Sequence, residues 1–170
     1  MEECMEWLHE SREVFPNLDK KIILSEYKRI GSKTLGFVKA KIKQELDFDP
    51  ESLLLGNTNK VRKKRLKPKE FKIFINEKLQ RIKNPALRKQ IVQHILIHEL
   101  LHIESDDLIT LSKEYGRRKK KKIHLKEFKV EIFKRYNKLR ELKGIMQIEK
   151  REHLDIAINR ILETINWWKK

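Results

Sequence analysis

Residues 87–103 constrain the fold of this chain more than any other segment. Their apolar residues fall at Ile91, Val92, Ile95, Leu96, Leu100 and Leu101, a helical spacing whose apolar face the rest of the chain must cover. Pro85 suits the first turn of that helix, where the N–H that proline lacks would have no partner anyway.

The flanking segments predict what does the covering. Residues 2–13 read as a short helix with Cys4, Trp7 and Leu8 at helical spacing, broken at Phe15-Pro16-Asn17. Residues 21–27 (KIILSEY) and 34–42 (TLGFVKAKI) read as strands on either side of a Gly31-Ser32-Lys33 turn, which suggests an antiparallel hairpin. Residues 45–69 read as irregular, and 71–75 (FKIFI) as a third strand of period two. After the central helix come a polar stretch, a short helix to Tyr115, and a helix over 125–142 that Gly144 ends. A last helix over 147–168 carries Leu154, Ile158, Ile161, Leu162 and Ile165 on one face, with Trp167 and Trp168 as its anchors to the core.

Three strands followed by helices predict an α+β fold. The expected architecture is a small antiparallel or mixed sheet packed on the central helix and on a second helix, with an extra C-terminal helix. The expected organisation is an N-terminal helical segment (1–18), a main domain (19–143) and a C-terminal helix packing on it (144–170).

The chemistry lies at residues 98–102, His-Glu-Leu-Leu-His. Two histidines four residues apart lie about 40° apart around a helix, so both imidazoles reach one ion. Neutral imidazole suits zinc, and two ligands leave further positions open. Glu99 projects about 100° from His98, beside the metal and not on it, where it can act on a bound water. A zinc ion there lowers the pKa of the water and polarises a substrate carbonyl. These residues predict Zn2+ held by His98 and His102, with Glu99 as the catalytic base.

The third ligand comes from elsewhere. The extended HExxHxxGxxH pattern is excluded, because Ser105 and Leu108 stand where its glycine and last histidine would be. His124, just before the next helix, is the leading candidate, and Glu127 and Glu131 are its rivals. His94 lies one turn before His98 and reads as packed or solvated. His9 and His153 carry no assigned role.

Together, the strand FKIFINEKL, the His-Glu-Leu-Leu-His helix and the segment His-Leu-Lys-Glu-Phe that opens another helix resemble the SprT-like and YgjP-like zinc metallopeptidases. Those proteins carry an HExxH helix after an edge strand. Their third zinc ligand is a histidine in a His-x-x-x-Phe segment, which matches His124 and Phe128. Leu35-Gly36-Phe37-Val38 looks like the second strand of that fold. The resemblance covers roughly residues 20–140 and implies a hydrolase acting on protein or peptide. It departs in the insert of about twenty residues between His102 and His124 and in lacking a C-terminal zinc ribbon. The last helix has no counterpart in it.

Charge adds a second theme. Lys and Arg number 41 against 25 acidic residues, a net charge of +16, which favours polyanionic partners. Two clusters carry much of it: one at 60–69 with Lys63, Lys64 and Arg65, and one at 117–122 with Arg117, Arg118, Lys119 and Lys120. Such clusters bind phosphate without regard to sequence, so DNA or RNA is an expected partner. SprT-like relatives include proteases that act on DNA-bound proteins. The alternative is a basic nucleic-acid-binding protein with a structural or degenerate zinc site. A helical interaction protein is a third reading.

The lone cysteine, Cys4, rules out a disulfide within the chain. No apolar stretch of about 18 residues predicts a membrane span, and the acidic N-terminus does not resemble a secretory signal, so a cytoplasmic location is expected.

Overall fold

The structure, a computed structural model, describes residues 2–31, 34–41, 44–47, 62–65, 70–105 and 126–168, and for 44–47 and 62–65 the backbone only. It is an α+β fold. In chain order the elements are α1 (Glu2–Arg12), β1 (Lys21–Lys28), β2 (Gly36–Lys41), β3 (Gln44–Asp47), β4 (Arg62–Arg65) and β5 (Glu70–Asn76). A 3₁₀ turn (Glu77–Arg81), α2 (Pro85–Glu104), α3 (Lys126–Leu142) and α4 (Arg151–Thr164) follow.

The most apolar strand takes the centre of the main sheet. In β5, Phe71, Ile73, Phe74 and Ile75 are all buried, whereas the flanking strands expose Lys21, Lys28, Lys39 and Lys41. The strand order is β1-β5-β2, with β1 parallel to β5 and β2 antiparallel to it. This corrects two expectations. β1 and β2 do not form a hairpin, because β5 lies between them. The strand that precedes the long helix is central, not the edge strand of the resemblance. A third correction concerns residues 45–69: β3 and β4 pair there as a separate antiparallel ribbon, Gln44 opposite Arg65 and Asp47 opposite Arg62. A four-residue strand of consecutive basic residues has no apolar alternation, so its sequence reads as loop.

α2 begins where Asn84 accepts a hydrogen bond from the Leu87 N–H (3.1 Å) with Pro85 in the first turn. It is buried on more than one stripe. Ile91, Val92, Ile95, Leu96, Ile97, Leu100, Leu101 and Ile103 all belong to the core, because α1, the sheet and α3 surround it. At its C-terminus the Lys20 ammonium donates to the Ile103 carbonyl (2.8 Å), a cation where the helix presents unpaired carbonyls.

α1 joins α2 through Arg88–Glu3 and Lys89–Glu10 ion pairs, both 2.8 Å. α3 joins it through Arg135, which bridges Glu104 (2.7 Å) and Glu131 (2.8 Å) while lying over the Phe15 ring. α3 ends in a left-handed residue, Gly144 (φ 66°), with Ile145 N–H bonded back to the Arg140 carbonyl (2.8 Å) and Gly144 N–H to that of Glu141 (3.0 Å). Asn137 exchanges two hydrogen bonds with the Ile148 backbone (2.8 and 2.9 Å), fixing the link to α4. α4 is shorter than 147–168, because its chain leaves the helix at Asn166 (φ 51°) in the same capping pattern. Trp167 is buried there and Trp168 is 61% exposed, so one tryptophan anchors the helix and the other does not.

Gly36 is a point of close approach between the sheet and α2: a Cβ there would lie 2.5 Å from the Ile95 Cγ2 methyl and 3.1 Å from the Phe74 carbonyl. Gly36→Ala is therefore expected to lower unfolding free energy by roughly 1–3 kcal/mol, the usual range for overpacking, as read by urea denaturation. An unchanged midpoint would mean that α2 does not press on β2 at this point.

Candidate metal centre

Two histidines of α2 and a phenylalanine of α3 meet. His98 and His102 turn their rings toward each other, with Nε2 atoms 3.1 Å apart and centroids 4.9 Å apart. That separation suits an N–H···N hydrogen bond. It is also close to the roughly 3.3 Å between two imidazole nitrogens bound at about 2.0–2.1 Å to one tetrahedral zinc ion. Phe128 of α3 closes the other side, stacked on His102 (4.5 Å between centroids) and edge-on to His98 (5.4 Å). Glu99 and His102 are buried, at 6% and 7% exposure.

Burying a carboxylate and an imidazole in an apolar helix costs free energy unless polar partners or an ion compensate. The pair, with His102 buried and His98 half-buried, fits a metal by donor type and by the convergence of Nε2 atoms. Among the described residues no third His, Cys, Asp or Glu completes a cluster with it. Glu131 is held by Arg135 instead, and Glu127 is exposed. His124, Tyr115 and the cluster of Arg117, Arg118, Lys119 and Lys120 lie outside the described residues. Lys63, Lys64 and Arg65 lie in β4, paired through the backbone with β3.

A cavity of about 160 Å³ opens beside His98. Its walls are His94 and His98 from α2, Lys129, Ile132 and Phe133 from α3, and Arg151, Leu154 and Asp155 from α4. Sequence reasoning missed the α4 side of this cavity. The apolar stripe of α4 signalled a packed helix, but not that its first turns face the histidines. His94 also gains a place: its ring lies edge-on to Tyr136 (5.3 Å), and burial pushes its pKa down to about 4. Cys4 is fully buried and burial raises its thiol pKa to about 11, which leaves it a packing residue and not a nucleophile.

No family model, curated protein or solved structure matches this chain.

The depressed pKa of His94 has a definite sign. Between its ordinary value of 6.5 and about 4 the unfolded chain binds the proton and the folded chain does not. Unfolding free energy, measured by urea with a chelator present, should therefore fall as pH drops through that window. His94→Gln should flatten the fall. An identical pH profile for wild type and variant would show that His94 is not held neutral by the fold.

Proposed function

We propose that this protein is a zinc-dependent peptidase of the HExxH class, akin in its site to the SprT-like and YgjP-like enzymes. The observation that carries the reading is the convergence of the His98 and His102 Nε2 atoms at 3.1 Å beside a buried Glu99. His98, His102 and His124 hold the ion. His124 is preferred as third ligand because the His-x-x-x-Phe segment of the resemblance matches His124 and Phe128, and Phe128 stacks on His102. The fold this reading requires is a sheet packed on an HExxH helix and on a second, ligand-bearing helix, roles it assigns to α2 and α3.

Zinc held there supplies an acidified water and a polarised scissile carbonyl. Glu99 takes the proton from the attacking water and delivers it to the departing amine. Its burial serves this role, since a carboxylate shielded from bulk water keeps its proton for the leaving group. The cavity beside His98 offers a substrate side chain apolar walls from Ile132, Phe133 and Leu154. The net charge of +16 supports substrates that travel with DNA or RNA, reached through Lys63, Lys64, Arg65, Arg117, Arg118, Lys119 and Lys120. Among the described residues no helix is long and apolar enough to cross a membrane.

Elemental analysis of the untagged protein should find about one zinc per chain, lost in His124→Ala. Zinc kept in that variant would overturn the assignment of His124. Absence of zinc from the wild type, even after zinc is supplied, would leave the basic nucleic-acid-binding reading with a degenerate site. Glu99→Gln should keep the metal and lower hydrolysis of a casein-type substrate by about 100-fold or more, the range for losing a general base. Full activity in that variant would sink the mechanism.

A further inference from the structure

The sheet has a second face, which the described helices do not use. In β5, Phe71, Ile73 and Ile75 point into the core, so Lys72 and Phe74 point the other way. Across the antiparallel pair, Phe37 stands opposite Phe74 and Lys39 opposite Lys72. On the parallel side, Glu26 is in register with Phe74 and Lys28 with Asn76. The two phenylalanine rings stack, with centroids 5.0 Å apart and planes 28° apart. The Lys28 ammonium lies 4.7 Å from the Phe74 centroid, and that of Lys39 lies 5.6 and 5.9 Å from Phe37 and Phe74. Lys28 and Lys39 are exposed, and Phe37 is half-buried above the buried Phe74.

The charges here are arranged at a cost. Like charges directly opposite across a ladder are destabilising, and Lys39 and Lys72 are such a pair. Among the described residues, Lys28, Lys39 and Lys72 form no ion pair. The carboxylates that these strands place on the same face are Glu26 and Glu70, and Glu70 already pairs with Lys21 (3.7 Å) and Lys41 (2.9 Å). An anion brought to this face would relieve the repulsion.

We propose that this face binds single-stranded nucleic acid. A base stacks on Phe37, supported from beneath by Phe74, while Lys28, Lys39 and Lys72 reach the flanking phosphates. Aromatic rings interleaved with lysines on a sheet suit unpaired bases, whose flat faces are accessible as those of a duplex are not. A recessed ring such as Phe74 does not suit insertion into a lipid surface, which calls for protruding apolar side chains. No residue of this face belongs to α2, so the assignment stands apart from the peptidase reading.

The test is fluorescence anisotropy of the full chain with a labelled oligothymidine of about fifteen nucleotides, with a chelator present so that the metal plays no part. Lys39→Glu with Lys72→Glu should lower affinity at least about tenfold. The same pair should reduce the salt slope by roughly 1.4, at about 0.7 for each phosphate left without its lysine. Lys134→Glu with Arg160→Glu, an equal charge change at exposed positions of α3 and α4, should have a much smaller effect. Phe37→Leu should weaken binding of oligothymidine at least about fivefold and leave an abasic strand of the same length unaffected. Should the reversed lysine pair fail to fold by thermal melting, Lys39→Gln with Lys72→Gln replaces it, with about a threefold loss expected. Equal losses in the two charge-reversal pairs, a Phe37→Leu variant with wild-type affinity, or preference for duplex over single strand would each overturn the proposal.

Discussion

Burial around α2 is the interaction on which the other elements depend. A helix with a single apolar stripe needs one partner, but α2 carries apolar side chains on several sides and needs covering by the sheet, α1 and α3 together. That requirement explains why the sheet approaches α2 closely at Gly36, and why α1 and α3 are tied to α2 by ion pairs at its flanks. The same enclosure surrounds the polar residues of the helix. Glu99 and His102 lie buried where neighbouring elements converge, shielded by the packing that stabilises the fold.

Much of this was legible in the sequence. The span of α2 follows from Asn84-Pro85 and the apolar spacing, and α3 and its terminating Gly144 follow from an apolar stripe and a left-handed residue. The His98–His102 convergence follows from i,i+4 geometry alone. These features are local: each is decided within a turn or two of chain.

What was not legible is mostly non-local. The pairing of β1 with β2 looked like a hairpin because a turn separates them. Which strand sits between which is decided by burial across the whole sheet, and β5 outcompetes the others with Phe71, Ile73, Phe74 and Ile75 all buried. The ribbon of β3 and β4 is held by backbone bonds that impose no pattern on lysine and arginine side chains. The Phe37–Phe74 stack joins residues from strands far apart in the chain, and the cavity joins residues of three helices. Charge counting drew attention to the basic runs, whereas the lysines around Phe74 are scattered over three strands and form no run at all.

The position of β5 also bears on how the chain is made. Its partners begin at Lys21 and Gly36, yet both must pair with residues from Glu70 onward. During synthesis the first two strands leave the ribosome with no partner available, and the main sheet cannot close until about fifty further residues have followed β1 out. The interval leaves apolar segments such as Lys21–Lys28 waiting in the open with unsatisfied edges. Chains of this design reward slow, protected emergence, and the lysines that line both outer strands give the nascent segment a charge that keeps copies apart while it waits.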